Sequence, residues 1–100
     1  MLHSTQEVSS KYMIETVDNW KVTVTTVAQR LSATSSSKKM LIIRADKNNS
    51  GDVWYGGSTI DGTNSDYLSP GEVRTFHFID PYILYVLGTL NDKIYCETLE

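Results

Sequence analysis

Turn-forming residues recur along this chain about every eight to twelve positions, and the runs between them are short and rich in β-branched and aromatic residues. No run of about twelve residues carries an apolar stripe at helical spacing. A chain punctuated this often can build strands but not long helices. The reading is therefore an all-β fold, an antiparallel β-sandwich of about seven or eight short strands, jelly-roll-like or immunoglobulin-like.

Residues 21–26, KVTVTT, alternate at period two and place Val22 and Val24 toward a core. Residues 27–32 continue as a second short strand carrying Leu31, and the serine-rich stretch 33–39 is a turn. Residues 39–45, KMLIIRA, form the most apolar run and read as a central strand covered on both faces. Residues 46–51, DKNNSG, are dense in side chains that bond to their own backbone, which makes them a turn, with 52–56 as the returning strand of a hairpin. A loop region then runs to Ser69, and Pro70-Gly71 supplies the residue order favoured in a type II turn. The strand that follows, 72–78, places Phe76 and Phe78 on one face with Arg74 at its rim, until Asp80-Pro81 breaks it. Residues 82–87 and 93–97 close the fold as a final pair joined across 88–92.

One hundred residues is the size of one domain. Residues 1–20 lack turn chemistry and read as an amino-terminal arm or oligomerisation segment, with Met13, Ile14 and Val17 able to dock on this domain or a neighbour. Residues 21–98 form the sandwich. The terminal Leu99-Glu100 matches a dipeptide often left by a cloning site and is set outside the argument.

Nine Lys and Arg against twelve Asp and Glu give a formal net charge of −3, with no basic run beyond Lys38-Lys39. Phosphate backbones are held by clustered positive charge, so nucleic acid is not an expected partner. Neither a membrane-length apolar stretch nor a signal-peptide layout is present, so no membrane insertion is expected. Cys96 is the single cysteine and leaves the fold to packing and backbone pairing, as suits a reducing compartment.

Asp46, Asn48, Ser50 and Gly51 imitate the start of a calcium loop, but the twelfth position, where a bidentate Glu belongs, is Gly57, and the flanks read as strands. A turn held by Asx bonds is the preferred reading. His3 and His77 have no ligand-spaced partner, which excludes a zinc motif, and His77 reads as a rim residue. Cys96 lacks an activating base in its surroundings and reads as a strand thiol. The acids Asp52, Asp61, Asp66, Asp80 and Asp92 sit in or beside turns, and no nucleophile elbow or phosphate loop occurs. No enzyme activity, cofactor or metal is expected.

Aromatics remain. Trp20, Trp54, Tyr55, Tyr67 and Tyr82 are the candidate interface or ligand contacts, because flat rings serve protein interfaces and stack on sugars. The alternative, that alternate members simply fill and cover the core, stands beside it. Trp54 and Tyr55 are strand neighbours and should face opposite ways, so at most one is core.

Four motifs then occur in a fixed order: Ile43-Arg44-Ala45-Asp46, Asn49-Ser50-Gly51-Asp52-Val53-Trp54-Tyr55-Gly56-Gly57-Ser58, Leu68-Ser69-Pro70-Gly71-Glu72, and Leu84-Tyr85-Val86-Leu87-Gly88-Thr89-Leu90-Asn91-Asp92-Lys93-Ile94. In this order the stretch from about Val22 to Glu97 resembles a small all-β module of virion and tail proteins of tailed bacteriophages. Trp54 and Tyr55 depart from that pattern, in which smaller or single-aromatic pairs are commoner, and residues 1–20 fall outside it. The resemblance implies a structural or attachment component of a phage particle, assembled in the bacterial cytoplasm, with itself and other virion proteins as partners and no catalytic residues. A receptor-recognition module in which Trp54 or Tyr67 stacks on cell-surface glycan is the alternative.

Overall fold

The computed structural model describes residues 16–100. Among them run eight strands: β1 (Val17–Thr23), β2 (Gln29–Arg30), β3 (Lys38–Ala45), β4 (Val53–Gly56), β5 (Asp66–Leu68), β6 (Val73–Ile79), β7 (Tyr85–Leu87) and β8 (Lys93–Leu99). One turn of 3-10 helix, η1 (Pro81–Ile83), lies between β6 and β7. The strands form two four-stranded antiparallel sheets in the orders β1-β8-β3-β6 and β2-β7-β4-β5. Two sheets wound in this way are a jelly roll, so the expected sandwich is present and its jelly-roll form is the one adopted.

Alternation builds the core. In β3, Leu41, Ile43 and Ala45 are buried while Arg44 is exposed, and in β8 Ile94, Cys96 and Thr98 are buried at every second position. Val53 and Tyr55 of β4, Leu68 of β5 and Val86 of β7 meet them from the other sheet. Thus β3 is central but covered on one face only, a correction to the expectation of two covered faces. Its outward Ile42 is half-buried at most because no third layer packs there.

Five further expectations are corrected. β3 and β4 are not a hairpin, nor are β7 and β8 a pair: each turn carries the chain from one sheet to the other, as a jelly roll requires. Only β4 and β5 are both consecutive and paired, and β5 itself lies inside the stretch read as loop, anchored by Leu68. Phe78 does not share the face of Phe76. Its φ of 52° breaks the strand's alternation, so Phe76 packs against the core while Phe78 is 78% exposed. Finally, the sandwich begins before residue 21, because Val17 pairs with Leu99 and Trp20 with Cys96. Asp18 and Asn19 are poor strand formers, and their pairing with β8 overrides that local preference. Thr16 and Glu100 exchange both backbone hydrogen bonds beyond the end of the ladder, and Lys38 pairs with Glu100 at 2.7 Å. The remainder of the arm, residues 1–15, and its Met13, Ile14 and His3 lie outside the described residues.

Candidate functional site

The four sequence motifs meet at one end of the sandwich. Asn49 acts as a side-chain rung: its Nδ2 donates to the Lys93 carbonyl at 2.9 Å and its Oδ1 accepts from the Lys93 N–H at 2.8 Å. Asp92, only 5% exposed, accepts from the Ser50 and Gly51 amides at 2.9 and 3.1 Å. The Ala45 and Glu72 backbones are joined, as are Gly71 and Ala45, and the Glu72 carboxylate accepts from the Ser69 amide at 2.6 Å. Gly88 is required by closeness: a Cβ there would meet the Asp52 carbonyl oxygen at 2.8 Å. These contacts form a clasp that ties the sheet-crossing turns together.

The calcium-like turn belongs to this clasp. Asp46 Oδ1 accepts from the Asn48 amide and Oδ2 from the Tyr95 hydroxyl, and the Asn48 bond chiefly holds the Asp46 carboxyl below its usual range. The Asx turn is thus what these residues build. Among the described residues no three of His, Cys, Asp or Glu gather as a metal-holding group. Burial pushes the Cys96 thiol up to about 12, far from nucleophilic character at neutral pH.

The five candidate aromatics divide. Tyr55 is 7% exposed and packs edge-on against Phe76, with rings 5.7 Å apart, while its hydroxyl donates to Asp66. It is core, which corrects its place among the contact residues. Trp20 is half-buried, and its Nε1 donates to the Leu31 carbonyl at 3.0 Å, tying the outer strand of one sheet to the chain beside β2. It too holds the fold. Trp54 and Tyr67 face each other across β4 and β5, with ring centres 4.8 Å apart on the outer surface, and Tyr67 is 42% exposed. Tyr82 belongs to a different stack: the Arg30 guanidinium lies 3.8 Å from its ring centre and 5.0 Å from that of Tyr85. The Arg30 stack was absent from the sequence reading, because Arg30 and Tyr82 are 52 positions apart.

Two depressions flank β1. A groove of ≈ 500 Å³ crosses the outer face of the long sheet over Asn19, Lys21, Ile42, Arg44, Tyr95 and Glu97. A cleft of ≈ 520 Å³ opens between β1 and residues 31–36, where the buried Thr98 hydroxyl has no hydrogen-bond partner. Neither contains a histidine. His77 lies exposed on β6, opposite Met40.

Among the described residues the sheets also present open edges. β1 and β6 are the outer strands of the long sheet, seven residues each. Neither contains a buried residue, although they carry Trp20, Val22, Phe76 and Ile79. The other sheet ends in β2, two residues, and β5, three, which present little backbone for pairing.

Two solved structures are similar to this all-β class. A de novo designed double-stranded β-helix matches over 86% of this chain and 100% of its own, with 14% identity and a TM-score of 0.47. A protein of the disulfide-linked pili of Bacillus endospore appendages matches over 84% of this chain and 86% of its own, with 21% identity and a TM-score of 0.45. No known family matches the chain, and no curated protein matches it. At these scores the likenesses carry no functional argument.

Proposed function

We propose that this chain is a non-enzymatic structural subunit that works by homo-oligomeric assembly, as a capsid- or tail-associated protein of a bacteriophage virion. The observation that carries the assembly reading is the pair of seven-residue outer strands, β1 and β6, in one sheet. Among the described residues, the outer side of each has no strand partner. Long bare edges invite pairing and aggregation, and symmetric assembly is the economical way to bury them. Phe78, bulky and held at positive φ while 78% exposed, adds strain that an isolated domain has no reason to retain. The virion assignment rests on the ordered motifs, whose residues tie the turns of the sandwich together.

Sedimentation of the full chain from low to high micromolar concentration tests the reading. A stable oligomer is expected. Monomer alone at high micromolar concentration refutes it.

A second reading, recognition of cell-surface glycan, is favoured by the Trp54–Tyr67 pair beside the polar loop 57–65. Within that loop the Asp61 carboxylate already accepts from Thr63 and Asn64, which leaves fewer groups to hold a sugar. Glycan-array binding abolished by Trp54→Ala would support this reading, and no binding by the wild-type chain would dismiss it.

A further inference from the structure

We propose that copies join head to tail through the long sheet, β1 of one copy pairing antiparallel with β6 of the next; this rests on the assembly reading above and names its interface. The sheet has four strands, all antiparallel, in the order β1-β8-β3-β6. Because four is even, β1 and β6 run in opposite directions. A second copy placed beside the first in the same orientation therefore sets its β1 antiparallel to the first copy's β6, and the ladder continues without a change of pattern. The second sheet has much shorter outer strands, so it presents little edge to compete for the same partner.

Side chains at the two edges are complementary. On the face turned toward the other sheet, β1 carries Asp18, the register partner of buried Thr98, and β6 carries Arg74, the partner of buried Ile43. Arg74 lies over the Tyr55 ring, 5.7 Å from its centre. Neither Asp18 nor Arg74 forms an ion pair among the described residues. On the outer face, Val17 of β1 and Val73 of β6 are each 52% exposed. The pairing that sets Arg74 opposite Asp18 of the next copy also sets Val73 opposite Asn19, diagonal to Val17. This register lays residues 17–19 of one copy along 73–75 of the next, joining the opposite charges on the inner face and bringing the exposed valines together on the outer face. Such an interface is heterologous: it closes into a ring or extends as a filament according to the rotation between copies.

Charge reversal tests this on the full chain by sedimentation velocity at low salt. Asp18→Arg and Arg74→Glu, each alone, are expected to weaken association by about tenfold or more, since each sets like charges face to face. The combined swap restores it, and so does an equimolar mixture of the two single variants, whose edges then alternate in sign. Asp18 is exposed, so Asp18→Arg tests the interface even where Arg74→Glu disturbs Tyr55. Wild-type assembly with full association by Asp18→Arg overturns the β1–β6 interface and leaves the oligomer reading standing. Failure of both the swap and the mixture to restore association also overturns it. A wild-type chain that stays monomeric removes both together.

Discussion

Replacing Asp92 should destabilise the domain strongly. Its carboxylate accepts two backbone N–H groups, from Ser50 at 2.9 Å and Gly51 at 3.1 Å, and its own backbone bonds to Val24 and Thr89. A hydrogen bond to a charged acceptor contributes about 1.5–3 kcal/mol, and the two donors here lie near the surface, where water replaces part of what is lost. Asp92→Ala should therefore cost about 2–4 kcal/mol. With an m-value of about 1–1.5 kcal/mol/M for a domain of this size, the urea midpoint should fall by about 1.3–4 M. Asp92→Asn keeps one acceptor and turns an NH₂ toward the second donor, so it should lose about half as much. Asn49 fastens the same turn to Lys93, so in a double-mutant cycle Asn49→Ala and Asp92→Ala should together cost less than their sum by at least about 0.5 kcal/mol. Equilibrium urea unfolding followed by tryptophan fluorescence measures wild type and all four variants. An Asp92→Ala midpoint within about 0.5 M of wild type would refute the clasp, because the two bonds would then contribute nothing that water does not replace.

Three further outcomes follow from the same geometry. Gly88→Ala should cost about 1–3 kcal/mol, since its Cβ meets a backbone carbonyl, while Gly57→Ala, with nothing within 4 Å, should leave the thermal midpoint unchanged or slightly raised; equal effects at the two sites would count against the close approach at Gly88. The Asp80 carboxyl is held below its ordinary value of 3.8 by the Ser35 hydroxyl first and then by the Ser36 and Tyr82 amides. The unfolded chain binds that proton more readily, so Asp80's contribution is complete above about pH 4 and is lost as pH falls from there; thermal melts of wild type and Asp80→Asn should converge in acid and separate at neutral pH. Cys96, buried and with its thiol at about 12, should react with a disulfide reagent only at the rate of unfolding, and rapid stoichiometric labelling of the native protein would contradict its position.

Period-two patterning marked Val24 as core from residues 21–26. The apolar run 39–45 was legible as a central strand, but not that only Leu41, Ile43 and Ala45 of it face inward. Pairing was not legible, because turn chemistry says that a chain reverses but not into which sheet it goes. Residues 46–51 have hairpin composition and yet deliver β4 to the opposite sheet, where its partners are β5 and β7. The amino-terminal half of β1 was hidden for a different reason: Asp18 and Asn19 carry no strand signal, and only a partner nearly eighty residues away, Thr98 or Glu97, makes them extended. Trp20 and Tyr55 read as candidate contacts in the sequence but serve the fold, since large rings are also what a small sandwich needs to close its ends. Without partners in view, a ring that bridges sheets and a ring that meets a ligand look alike.

The recognisable motifs and the proposed contacts therefore occupy different parts of the molecule for a physical reason. Asn49, Asp92, Gly71 and Gly88 each answer a specific local demand, a missing rung, a pair of orphan amides, a positive φ, a close carbonyl, and few residue types satisfy any of these. Such positions form motifs. A strand edge makes no such demand, since its pairing uses backbone and many side chains fit beside it. The signal there is instead a mismatch of composition and burial: β6 reads VRTFHFI, apolar enough for an interior strand, yet every one of its residues is exposed or only half-buried. β8, with KIYCETL, buries three of its seven residues from a less apolar sequence. In the sandwich itself β8 is buried because it lies between β1 and β3, while β6 lies at the edge; in the proposed interface a neighbouring copy would cover the start of β6, where Val73 and Arg74 stand exposed.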